Sequence, residues 1–223
     1  MFLPRQVAKI CEITEKTIMP LFTKKTILAT TLAIASSLSP AIAEEKERGF
    51  YATLGAGVGK HADISISSAS GGGVIEFDRG FAGDIGVGYD FGSIRTELTY
   101  NNVNNDVNTI QNISTNVSAE FESVFLSAYY DFRADKDWQP YVGGGFGSTE
   151  ITVTNSYSGI NLTAGDDNIS SGKFAIGVNY GGNENIDIYG EYSVQAYDDF
   201  TIGNYWFKDC VLGAITIGTR FKF

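Results

Sequence analysis

The chain has 223 residues, 16 Lys and Arg against 26 Asp and Glu, a formal charge of −10 and a hydrophobic share of 43%. Affinity for a phosphate backbone rests on Lys and Arg, so this balance excludes nucleic acid as a partner. With two cysteines, Cys11 and Cys210, and one histidine, His61, neither a disulfide framework nor a zinc spacing is available.

The first element is a leader. After Met19 come Lys24 and Lys25, the apolar run "ILATTLAIASSL", Pro40 and the triplet Ala41-Ile42-Ala43. This is the order of charge, apolar core and small-residue site found in a cleaved secretory signal. The run is too short for a membrane-spanning helix, which needs about 20 apolar residues. Residues 1–43 therefore read as a signal peptide, with Met19 as its natural start, and residues 44–223 as one domain. Cleavage after Ala43 removes five basic and two acidic residues, turning −10 into −13, and leaves Cys210 as the single thiol.

The mature chain begins with "YATLGAGVGKH", residues 51–61. A phosphate-binding loop needs Gly, four residues, Gly-Lys and a hydroxyl residue. Leu54 stands where its first glycine should be and His61 where its hydroxyl should be. The glycines instead mark a period of two. Phe50, Ala52, Leu54, Ala56 and Val58 share one face, and Tyr51, Thr53, Gly55, Gly57 and Gly59 the other, which is a strand.

Seven further segments repeat the pattern. Ile85, Val87 and Tyr89 oppose Asp84, Gly86 and Gly88; Ile94, Leu98 and Tyr100 oppose Arg95, Glu97 and Thr99; Val124, Leu126 and Tyr130 oppose Ser127, Tyr129 and Asp131. Val142 and Phe146 then oppose Tyr141, Gly143 and Gly145, and Ile176 and Val178 oppose Lys173 and Gly177. Last, Ile188 and Tyr192 oppose Asp187 and Glu191, and Ile217, Phe221 and Phe223 oppose Thr216, Arg220 and Lys222. No helical segment remains to cover the apolar faces. An alternation of apolar with polar and charged residues, in segments of about ten, is the pattern of a membrane barrel whose apolar side meets lipid. The connections alternate as well. Residues 61–78, 105–119, 155–167 and 199–210 read as long loops, separated by the tight turns "YDFGS", "FRADKDW" and "YGGNEN". Long external loops and short periplasmic turns are the habit of such barrels. Phe50, Tyr89, Phe91, Tyr130, Phe132, Trp138, Tyr180, Phe221 and Phe223 fall near the short-turn ends, while Phe81, Tyr100, Phe121, Tyr197 and Phe200 fall near the long-loop ends. The expected fold is all-β, an eight-stranded antiparallel transmembrane β-barrel with two aromatic girdles.

The segments "FLSAYYDF" and "WQPYVGGGFG", the glycine-rich first strand and the terminal "GTRFKF" resemble the small outer-membrane β-barrel proteins of Gram-negative bacteria, the opacity and outer-membrane-protein-A-like porin family. The resemblance spans residues 49–223. It implies a bacterial outer-membrane location, with outer-membrane lipids and lipopolysaccharide as surroundings. It also implies periplasmic chaperones and the barrel assembly machinery as folding partners, with Phe221 and Phe223 as the terminal signal that machinery reads.

Eight strands enclose a lumen that side chains fill. Asp84, Arg95, Glu97, Lys173, Asp187, Glu191, Arg220 and Lys222 face it and are expected to form an ion network, since an unpaired buried charge is costly. The glycine faces leave room for long side chains, a common use of strand glycine. The leading expectation is a monomeric structural or surface-exposed barrel that is not an enzyme and needs no cofactor or metal. The alternatives are a narrow channel and a lipid-modifying enzyme. For the enzyme, His61 with Asp63 and Ser65 offers neither a His-x-Ser pattern nor groups converging from several strands, and His61 reads as a loop residue. The pairs Asp166-Asp167 and Asp198-Asp199 supply too few oxygens for a divalent cation and read as solvated; Cys210 reads as a bystander at the base of the last loop.

Overall fold

The computed structural model describes residues 48–68, 71–110, 113–132, 137–155, 160–163, 169–181, 185–202, 205–208 and 210–223. The predicted signal peptide and the pair Asp166-Asp167 lie outside them. The strands are β1 (Gly49–His61), β2 (Ile64–Ser68), β3 (Gly71–Phe77), β4 (Gly80–Asp90), β5 (Ile94–Ile110), β6 (Ile113–Asp131) and β7 (Trp138–Asn155). They continue with β8 (Ile160–Thr163), β9 (Ile169–Gly181), β10 (Ile186–Tyr197), β11 (Phe200–Ile202), β12 (Tyr205–Lys208) and β13 (Val211–Lys222). Eight of them close a ring in the order β1-β4-β5-β6-β7-β9-β10-β13, and β13 returns to β1, every pair antiparallel.

The register sets the shape. Pairing partners followed round the ring from Gly59 run through Ala214, Ser193, Ala175, Gly143, Tyr129, Arg95 and Asp90 and re-enter β1 at Gly49, a stagger of ten residues. At about 3.3 Å rise per residue and about 4.8 Å between strands, that stagger over eight strands tilts them by about 40°. Each residue then climbs about 2.5 Å along the barrel axis, and about ten residues cross the apolar band of about 25 Å. Strands β1, β4, β9, β10 and β13, of 11 to 13 residues, are matched to that height. Strands β5, β6 and β7, of 17 to 19 residues, overshoot it and stand above the membrane as a wall.

Much of the sequence read as long loops belongs to this wall and its extension. Residues 105–119 are mostly the upper halves of β5 and β6; β3 pairs with β5, β2 with β3, β12 with β2 and β11 with β12, while β8 pairs with β7. The physical reason is a change of sidedness within single strands. Leu98 and Tyr100 point outward on β5, but Asn102, Asn104 and Asp106 follow them on that side while Val103 and Val107 turn inward. On β6, Glu120 and Glu122 lie outward and Phe121 inward. Below the change the outside is lipid and must be apolar; above it the outside is water, and the ordinary amphipathic rule returns.

The lower girdle closes around the short-turn end through edge-on or tilted ring pairs: Phe50 with Tyr89, Tyr89 with Phe91, Tyr130 with Phe132, and Trp138 with Tyr180, at 4.6–5.0 Å between centroids. The upper girdle is smaller than expected. Phe81 and Tyr100 are exposed, whereas Phe121 and Tyr197 are buried inside, because their positions in the alternation point to the lumen, and Phe200, on β11, is buried in the apolar cluster.

Four lumen tyrosines lie across a glycine on the neighbouring strand. Tyr51 faces Gly88, Tyr129 faces Gly143, Tyr141 faces Gly177 and Tyr189 faces Gly218 as direct register partners, and a Cβ on any of these glycines would overlap the facing ring. The glycines thus supply space rather than backbone freedom. Gly218→Val is expected to destabilise the barrel by about 1–3 kcal/mol, the usual cost of overpacking. Urea unfolding in lipid vesicles measures it, and an unchanged midpoint would show that Tyr189 has room to move.

Candidate functional site

The lumen is layered from the periplasmic end upward. Lowest, Asp187 receives Lys222 at 2.9 Å and Arg220 at 3.6 Å, and the Asn179 amide donates to its Oδ2 at 3.1 Å. Next, Arg95 donates Nε and Nη2 to the two oxygens of Asp131 at 2.7 and 3.0 Å. Its guanidinium carbon lies 4.8–5.8 Å from the ring centres of Tyr129, Tyr141 and Tyr51, while Arg220 lies 5.1 Å from the Tyr51 ring. Planar cations over ring faces gain attraction that grows as water is removed.

The middle layer joins strands far apart in sequence. Lys173 pairs with Glu191 at 2.9 Å; Tyr141 donates to the other Glu191 oxygen at 3.1 Å, Tyr189 to Asp84 at 2.7 Å and Thr99 to Glu97 at 2.8 Å. The space left among these groups is about 10 Å³, room for about one water. A ladder of hydroxyls, Ser123, Thr149 and Ser171, crosses β6, β7 and β9 above it at 2.8 and 3.0 Å.

The top layer is apolar. Ile64, Phe77, Phe121, Ile151, Phe200 and Leu212, among others, pack into one buried cluster that joins β2, β3 and β11 to the barrel wall. His61 sits within it. Expected to be a loop residue, it is instead the last residue of β1, 0% exposed and 4.1–5.5 Å from the ring centres of Phe121, Phe77 and Tyr197. The alternation that puts Gly57 and Gly59 inside also puts His61 inside. Among the described residues neither ring nitrogen has a hydrogen-bond partner, and no serine or carboxylate is poised to work with it. Cys210, directly before β13 at the base of the last loop, is buried in this cluster.

The eight charged residues singled out from the sequence lie on the lumen side: Asp187 meets Arg220 and Lys222, Lys173 meets Glu191, and Asp84, Arg95, Glu97, Lys173, Glu191 and Arg220 together line one small cavity. Sequence reasoning did not match Arg95 with Asp131, nor Asp84 with Tyr189. The alternation put Arg95, Asp131 and Asp84 inside, and Tyr189 lies between Asp187 and Glu191 on their side of the strand, but partnership depends on register. Phe221 and Phe223 point outward at the periplasmic rim, where the Phe223 amide donates to the Phe50 carbonyl at 3.0 Å. Asp198 and Asp199 are exposed between β10 and β11. Among the described residues no group of His, Cys, Asp and Glu is arranged to hold a metal ion.

Arg95→Met strands Asp131 in a buried site and is expected to cost about 3–5 kcal/mol, whereas adding Asp131→Asn should recover most of that loss. Unfolding midpoints of the two single variants and the double variant measure the coupling; additive losses would place the stability of this layer elsewhere.

No curated protein matches the sequence. In fold, the chain is similar to the crystal structure of Neisserial surface protein A, with 21% identity, a TM-score of 0.57 and coverage of 80% of this chain and 100% of that one. It is also similar to outer membrane protein OprG from Pseudomonas aeruginosa, with 14% identity, a TM-score of 0.59 and coverage of 78% and 96%. A third likeness is to outer membrane protein AlkL, with 14% identity, a TM-score of 0.52 and coverage of 84% and 96%. The family model described as outer membrane protein beta-barrel domain matches residues 27–216. The chain therefore belongs to that family, and its place is the bacterial outer membrane.

Proposed function

We propose that this protein is a structural, surface-displaying barrel that is closed to diffusion. The observation that carries this reading is the apolar cluster across the upper lumen, set above a polar layer whose free space is about 10 Å³. A hydrated ion or sugar has no continuous wet path past those two layers, and an apolar constriction bars ions by excluding water. Material invested above the membrane supports display: β5, β6 and β7 rise beyond the band, and their outer faces carry Asn102, Asn104, Asp106, Glu120, Glu122 and Glu150. On this reading the barrel is a monomer surrounded by outer-membrane lipid and lipopolysaccharide. Phe221 and Phe223 form the terminal signal for the assembly machinery, served by periplasmic chaperones. No catalytic role is assigned to His61, whose burial keeps substrates away.

Planar-bilayer recording of the refolded protein is expected to give no steady conductance steps; regular steps would replace this reading with the channel. For display, Glu150→Cys in intact cells is expected to react with an impermeant maleimide, whereas Asp137→Cys, beside the periplasmic turn, should react only after permeabilisation. The reverse pattern would invert the orientation.

A further inference from the structure

A second small space of about 10 Å³ lies under the apolar cluster, on the upper side of the Lys173–Glu191 pair. Its walls include Asp84, Glu191, Lys173, Asn101, Ser193 and Thr216, and Ala82, Val103 and Ala214 meet it from the cluster side. Two carboxylates and one ammonium therefore face one water-sized space. Lys173 is committed to Glu191 at 2.9 Å, with the Tyr129 hydroxyl at 3.4 Å. Asp84 receives only the neutral Tyr189 hydroxyl and has no ion-pair partner among the described residues. The Asn101 side chain, 7% exposed, has an oxygen without a hydrogen-bond partner. A carboxylate in this half-buried position without a counter-charge carries a desolvation cost, and the buried, orphaned amide oxygen of Asn101 adds a further cost.

We propose that this space binds one small monovalent cation of the sodium or potassium class, held by the Asp84 carboxylate and the Asn101 side-chain oxygen, with the hydroxyls of Ser193 and Thr216 completing the oxygen set. The charge balance calls for a single positive charge. The absence of a metal-type cluster among the described residues argues against a divalent ion, which demands more carboxylate oxygens. The space is too small for an organic cation. Arg95 and Arg220 share the lower cavity with Asp84, but each is held by its own carboxylate, Asp131 and Asp187, and neither forms an ion pair with Asp84 among the described residues. The cation would tie β4 and β5 to β10 and β13 just beneath the apolar layer.

The test is thermal unfolding of the refolded mature barrel in detergent at neutral pH, in sodium or potassium chloride against N-methylglucamine chloride at matched ionic strength. The site predicts a midpoint higher by about 2–4 °C in the alkali salts, the usual shift for one interaction in a chain of this size. The gain should rise with cation concentration as a single saturable site and vanish in Asp84→Asn. Should that variant fail to fold, an anomalous peak beside Asp84 in wild-type crystals soaked in rubidium chloride supports the site, and no peak there overturns it. Equal midpoints in alkali and N-methylglucamine salts also overturn it, as does an undiminished alkali effect in Asp84→Asn. A stabilisation that follows falling pH and ignores the alkali cation assigns the balancing charge to a proton, and the cation site is then rejected.

Discussion

Backbone amides cannot be left unpaired in hydrocarbon, and every other feature of this molecule follows from that constraint. Strands meet it only by closing on themselves, and here closure occurs with a ten-residue stagger. The stagger sets the tilt, the tilt sets how many residues cross the lipid, and that number separates the five membrane-height strands from the three that continue into water. It also decides which inward side chains share a level, and so which charges meet.

The lumen is where closure has its consequences. A narrow barrel must be filled, and charged side chains fill it only in pairs or on ring faces. Tyrosine and glycine solve the packing together, each ring lying on the strand position that has no side chain. Arg95 combines the devices: a two-oxygen bond to Asp131 with three tyrosine rings around the guanidinium. Above this, the same wall encloses an apolar core of the ordinary kind, formed where the outside of the barrel is no longer lipid. One continuous sheet therefore carries two opposite burial rules, polar-inside below and apolar-inside above, with His61 among the rings of the upper part.

The reversal explains where reading the sequence succeeded and where it fell short. Phe50, Leu54 and Ile85 were legible as outward because alternation is a local property, and they are exposed. Residues 105–119 were read as a long loop, yet the run "NNVNNDV" at 101–107 keeps the period of two with its sides exchanged. Strand propensity was overridden there by pairing across β5 and β6 and by burial of Val103 and Val107. Phe121 and Tyr197 were assigned to a girdle from their height alone, although position in the alternation already turned them inward.

By itself the sequence determined the period of two, the number of barrel strands, their sidedness in lipid and the inward placement of the charged residues, because each of these depends on spacing within one strand. The tertiary structure decided which residues face each other: Arg95 with Asp131 across 36 positions and Tyr189 with Asp84 across 105, and the apolar cluster that roofs them. Those outcomes depend on the relative slide of different strands. An alternating pattern is unchanged when one strand slips by two residues past its neighbour, so it leaves the register open, and only the closed set of backbone hydrogen bonds removes that freedom.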